Sequence, residues 1–211
     1  VSWLSGSVTV ELTDGDAVTL RVEPQPESSD ARMRWKLQDG TLTVYSQKSG
    51  LTIPTRAKQL TIGIPAGRAG KLQKLSLDLS AASASLPALT LRELELDSVS
   101  GSVTLTGGSY ENLDFDSTSG DLTLTSAAVG ELSADTTSGS LTLDGAFETI
   151  DFDTTSGALH LTTSILPQDI SCDTVSGGVT LTLPENGGFS AALDSVSGDL
   201  TVDGFAGSLH R

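Results

Sequence analysis

The chain has 211 residues, 37% of them hydrophobic and only 4% aromatic, a composition too poor in large rings for an ordinary globular enzyme core. Its formal net charge is −15, and the charge is lopsided: residues 1–92 carry 11 Lys/Arg against 8 Asp/Glu, a net of +3, while residues 93–211 carry 19 Asp/Glu against the single Arg211, a net of −18. A surface this acidic repels nucleic acid and anionic lipid headgroups, and no apolar run of about 18 residues exists to form a transmembrane helix.

The opening VSWLSGSVTV lacks the basic start and continuous apolar stretch of a signal peptide. The chain starts on Val1 rather than Met, so a signal or membrane anchor ahead of it is the expectation. Strand-like runs come next at irregular spacing: SVTVEL, AVTLRV, TLTVYS and QLTIGIP alternate apolar and polar residues with period two. Turn signals separate them at Asp14-Gly15, Pro24-Gln25-Pro26, Asp39-Gly40, Lys48-Ser49-Gly50 and Pro65-Ala66-Gly67. No segment keeps a 3.6 period long enough to predict a long helix. Residues 1–70 are therefore read as a less regular β region that caps the rest of the chain.

From residue 71 to 211 the pattern is a repeat. Six copies of an Asp-[Ser/Thr]-x-Ser-Gly core end on Gly101, Gly120, Gly139, Gly157, Gly177 and Gly198, spaced by 19, 19, 18, 20 and 21 residues. A degenerate copy precedes them, with Asp78 aligned on Asp97 and Ala82 on the first glycine. Two apolar positions stand before each Asp, as in Leu94/Leu96 and Leu113/Phe115. Two more stand after each Gly, as in Val103/Leu105 and Leu122/Leu124. Period two sends these inward and their neighbours outward. The fold class this predicts is all-β: a single-chain parallel β-solenoid with coils of about 19 residues, each made of two strands hinged at Ser-Gly.

Stacking turns each motif position into a row. The glycines predict a bend that needs either positive φ or close approach of neighbouring coils. The serines before them are expected to satisfy backbone groups there, since six equivalent copies cannot all be one nucleophile. The hydroxyls after each Asp (Ser98, Ser117, Thr136, Thr154, Thr174, Ser195) point inward by alternation and need internal hydrogen bonds.

The outward aspartates Asp97, Asp116, Asp135, Asp153, Asp173 and Asp194 are the main candidate for function. Glu95, Asp114 and Asp151 lie two residues earlier on the same face. Like charges at a coil spacing of about 4.8 Å repel by roughly 1 kcal/mol per neighbouring pair in water, so something must offset them. One answer is an Asx-type turn that feeds hydrogen bonds to each carboxylate. The other is calcium bridging adjacent coils, which oxygen ligands and loose geometry permit. No other cofactor is expected.

A second outward row comprises Thr104, Thr123, Thr142, Thr180 and Thr201, doubled to Thr-x-Thr in several coils. Such arrays resemble the ice-binding face of β-solenoid antifreeze proteins, but His160, Asp144 and Asp203 interrupt this one. The case for an enzyme is weak. His160 reads as a solvated histidine, Cys172 as a buried apolar filler, and no His/Cys cluster has metal-ligand spacing. Both tryptophans, Trp3 and Trp35, fall outside the regular coils, where a carboxylate-based glycan hydrolase would need sugar platforms.

The recurring [Ser/Thr]-x-Ser-Gly-x-[Val/Leu]-Thr-[Leu/Val] units, with DGTLTV (Asp39–Val44) and LTIGIPAG (Leu60–Gly67) upstream, carry a family resemblance. Across nearly its whole length the chain resembles the bacterial adhesin-type family of domains of unknown function, seen also in envelope-stress-associated proteins. The resemblance implies an extracytoplasmic solenoid at the cell surface or envelope, often tethered to a membrane, and names no ligand; the residues themselves lead to the expectation of a non-enzymatic module that presents an acidic, Thr-rich face to a protein or glycan partner. The resemblance implies membrane contact only through an anchor, and offers no catalytic residue to carry over.

Overall fold

A computed structural model describes residues 1–25, 29, 31–47, 57–186 and 192–205; for residues 186, 192–195, 204 and 205 it describes the backbone alone. The first strands are β1 (Ser2–Thr13), β2 (Thr19–Glu23), β3 (Arg34–Gln38), β4 (Thr41–Tyr45) and β5 (Lys58–Pro65). A one-turn helix α1 (Ala66–Ala69) leads into β6 (Lys74–Leu86), β7 (Thr90–Ser98), β8 (Val103–Thr106), β9 (Ser109–Ser117), β10 (Leu122–Thr136) and β11 (Leu141–Thr154). Then come β12 (Leu159–Thr163), β13 (Asp169–Thr174), β14 (Val179–Asn186), β15 (Ala192–Ser195) and β16 (Leu200–Phe205).

The expected parallel β-solenoid is what forms. Strands before the bend stack as β6, β7, β9, β10, β11, β13 and β15, all parallel. Strands after it stack as β6, β8, β10, β11, β12, β14 and β16, also parallel. Long strands such as β10 and β11 take part in both stacks.

The predicted inward rows make the core. Leu77, Leu96, Phe115, Ala134, Phe152 and Cys172 follow one another in register, as do Ala84, Val103, Leu122, Leu141, Leu159 and Val179, and all are buried. Aliphatic stacking along a narrow interior is how so few aromatics suffice. A third row, Leu91, Tyr110, Val129 and Phe147, closes the coil loops over the same interior.

The parallel stack also takes in part of the first 70 residues. Ser2–Trp3 and Ser5–Thr9 of β1 lie in register with Asp78–Leu79 and Ala81–Ser85 of β6. On its other side β1 pairs in parallel with β5, Gly6 to Lys58 through Thr13 to Pro65. The chain thus starts inside the stack, descends to its end, and climbs back through α1. Two antiparallel pairs, β2 with β5 and β3 with β4, finish that end. The unit Ser5-Gly6-Ser7-Val8-Thr9-Val10 has the same form as Ser100-Gly101-Ser102-Val103-Thr104-Leu105, and it occupies the equivalent coil position.

Candidate functional site

The bend sets where every outward side chain points. Its hydrogen bonds come from the hydroxyl three residues before each glycine. Gly101 N–H donates to Ser98 Oγ at 2.9 Å, Gly120 N–H to Ser117 Oγ at 2.7 Å and Gly157 N–H to Thr154 Oγ1 at 2.8 Å. Ser98 Oγ donates back to Gly101 O at 2.6 Å, and Thr136 Oγ1 to Gly139 O at 2.9 Å. This is a serine/threonine turn repeated coil after coil. Thr174 departs from it: among the described residues its buried hydroxyl has no partner.

The serines before the glycines tie coils together instead. Ser100, Ser119, Ser138 and Ser156 each donate from Oγ to a carbonyl oxygen of the coil before, at 3.2–3.3 Å. The glycines answer the choice left open between positive φ and close approach. None of Gly101, Gly120, Gly139, Gly157 and Gly177 has a positive φ. A Cβ on Gly120 would lie 2.2 Å from Gly101 O, and one on Gly139 2.1 Å from Gly120 O. Each missing side chain makes room for the carbonyl of the coil before, and that is why the row must be glycine.

With the bend closed by hydroxyls, the aspartates are released from it. Among the described residues, no hydrogen bond joins the bend to Asp97, Asp116, Asp135, Asp153 or Asp173, so the Asx-type turn expected for them is replaced by the serine/threonine turn. These five stand exposed in one register, preceded by Asp78 and followed by the backbone of Asp194, whose side chain lies outside the description. Glu95 and Asp114 are neighbours in the adjoining row, while Ser133 separates Asp114 from Asp151.

The crowding has an electrostatic signature. Partial burial raises the Asp97 carboxyl above the usual carboxylate range, and the charges of Asp116, Asp78 and Glu95 push the same way. Partial burial likewise raises Asp153, with Asp151, Asp135 and Asp173 adding to it, and Asp114, with Glu95 and Glu93 foremost. At the N-terminal margin Lys74 relieves the pressure, with Nζ 3.0 Å from Glu93 Oε1 and also bonded to Glu95, whose carboxyl is lowered by that bond. Among the described residues no three His, Cys, Asp or Glu side chains converge as a compact metal site would.

Beside the aspartate row runs an open groove of about 880 Å³. One wall is Asp78, Asp97, Asp116, Asp135, Asp153 and Asp173; the floor includes the turn hydroxyls; the other wall is Val99, Thr118, Thr137, Thr155, Val175 and Val196. This second wall, the variable position of the repeat, was not legible as a surface feature. Its signal was the recurrence of Val or Thr just before every Ser-Gly.

The threonine row forms after the bend. Thr104, Thr123, Thr142, His160, Thr180 and Thr201 share one register, extended through Ser85 and Thr9 to Thr61, and none of them lines the acidic groove. Cys172 is buried, and burial pushes its thiol up to about 12, so it is inert filler at neutral pH. His160 is exposed in its row.

No curated protein and no solved structure matches the chain. A family model described as Toastrack DUF4097 matches residues 3–208, which takes in the N-terminal coil strand as well as the repeats. The chain belongs to this Toastrack family, a domain family of unknown function with a β-solenoid fold here.

Proposed function

We propose that the chain is a non-enzymatic recognition module of the cell envelope, extracytoplasmic and adhesin-like, whose aspartate rows hold a basic surface on a partner protein or glycan. The observation that carries this reading is the register of seven aspartates, Asp78 to Asp194, on consecutive coils, with no Lys or Arg from Glu93 to His210. A rigid sheet holds these carboxylates at a spacing their repulsion opposes. Bringing a cationic partner alongside relieves that repulsion, so part of the attraction is already stored in the fold. Repetition favours recognition over catalysis, because equivalent copies make an array rather than one distinguished acid and base. The adhesin-type resemblance and the envelope setting it implies agree with this.

Titration with oligolysine tests it. Binding is expected at low ionic strength, weakening steeply as salt screens exposed charges, and weakening again when Asp97, Asp116, Asp135 and Asp153 become Asn. Binding indifferent to both salt and these substitutions would sink the proposal. Fractionation of the native organism, with the gene sequence ahead of Val1, tests the compartment.

A second reading rests on the shared register of the outward aspartates on consecutive coils, with calcium between coils stiffening the row. A melting temperature equal in calcium and in chelator removes it.

A further inference from the structure

The acidic groove has two unlike walls, carboxylate on one side and Val or Thr on the other, with Val99 56%, Val175 49% and Val196 83% exposed. An occupant that fits needs one basic face and one apolar face. The chain carries such an element at its own opposite end. In β3, Trp35 and Leu37 alternate with Arg34 and Lys36, so the strand is apolar on one side and basic on the other. Its apolar side faces the same way as its cross-strand partners Val44 and Leu42, of which Val44 is buried in the core. Trp35 and Leu37 overhang beyond that core, 61% and 64% exposed. All five residues of β3 are exposed, and among the described residues β3 pairs with β4 only, leaving its other edge open.

An aromatic and a leucine held in water beside an unpaired strand edge are what a docking element presents. Charge complementarity identifies the surface it meets. The N-terminal 92 residues are net positive and the rest strongly negative, so two copies attract end to flank and repel flank to flank. We propose that β3 of one copy wedges into the acidic groove of a second copy, with Arg34 and Lys36 against the aspartate wall and Trp35 and Leu37 against the valine wall. The contact joins different surfaces, so it propagates head to tail rather than closing a two-fold dimer. It rests on the acidic rows being a recognition surface, and names a second copy as what they recognise. One short strand buries less than the roughly 1,200 Å² of a stable interface, so the association is weak and builds up only at high local concentration.

Sedimentation velocity on the full chain tests this over a concentration series, at low and raised salt. The wild type is expected to shift to larger species with concentration at low salt and to lose them at raised salt. Arg34→Glu with Lys36→Glu, and separately Asp116→Lys with Asp135→Lys, should each weaken association at least about tenfold. An equimolar mixture of the two variants should regain it, because each then finds an opposite charge. Folding defects cannot produce that rescue. A wild type monomeric at every concentration, variants that associate like the wild type, or folded variants that stay monomeric when mixed would each overturn the wedge. Oligolysine binding on the same samples separates the two claims. A monomeric wild type that binds oligolysine loses the wedge alone, and a monomeric wild type that ignores oligolysine loses both.

Discussion

In the regular coils from Ser98 to Thr154 the bend is closed by a hydroxyl of its own coil, as Thr154 Oγ1 accepts from Gly157 N–H three residues on. In the N-terminal coil the matching positions are Trp3 and Gly6, in register with Leu79 and Ala82. There the closure is long-range: Trp3 Nε1 donates to Lys58 O at 3.0 Å. The Lys58 ammonium sits 5.4 Å from the Trp3 ring centroid and donates to Ala31 O at 2.9 Å and to Ser46 O. Lys58 is only 3% exposed, and burial lowers its ammonium from the ordinary lysine value. Gly6 does have a positive φ of 105°, and a Cβ there would meet Lys58 O at 2.1 Å. A repeated coil is thus locally self-sufficient, whereas the terminal coil is held by contacts between segments far apart in sequence. Propagation needs only a rule each coil can follow, and termination needs particular residues.

Four substitutions and one matched control probe that contrast, from the largest expected effect down. Trp3→Ala removes a fully buried indole with its hydrogen bond and should cost about 4 kcal/mol, measured by denaturant unfolding. Trypsin reads where the damage falls, because its sites stop at Arg92 until Arg211. Faster release of a fragment starting at Glu93 is expected, and unchanged digestion would mean the terminal coil does not depend on Trp3. Gly139→Ala sets a methyl against the Gly120 carbonyl and should cost about 3 kcal/mol, since backbone on both sides must move. Gly67→Ala in α1, with nothing near its Cβ, is the matched control and should be neutral or slightly stabilising. If both behave alike, close approach is not what selects glycine.

Thr154→Val keeps the volume but strips the bend of its acceptor, with an expected loss of about 1–2 kcal/mol. The smallest effect is electrostatic. Asp97 and Asp153 have folded-state carboxyls raised above their unfolded values, so the folded state binds protons more readily there. Stability should therefore rise as pH falls from neutral through the raised folded values, and level off below the unfolded value near 4. Asp153→Asn should give a small gain at pH 7, well under about 1 kcal/mol because the group is exposed, and should flatten the pH dependence. A variant that melts lower than the wild type at neutral pH would show the row to be relieved rather than strained.

The inward rows were legible from the chain alone. Leu122, Leu124, Leu141 and Leu143 fall where period two places them, and Asp78 aligns on Asp97 as the offset required. The bend chemistry was legible only in part. Alternation put Thr154 inside, but nothing local separates a serine/threonine turn from an Asx turn when Asp153 and Thr154 are adjacent. The N-terminal copy around Gly6 is not legible for a similar reason, since Ser2 and Trp3 stand where the repeat carries Asp and Ser or Thr.

By itself, the sequence determined the coil: its period, its inward and outward rows and the acidity of one flank. Those come from alternation and repetition, which act over a few residues and are copied from coil to coil. The tertiary structure alone decided where β1 goes, between β5 and β6, and that Trp3 and Lys58 close the end across 55 positions of chain. It also decided that each glycine yields to a neighbouring carbonyl rather than to its own φ. Such contacts join residues that share no local pattern. They are selected by the free energy of the assembled stack, and only the assembled stack displays them.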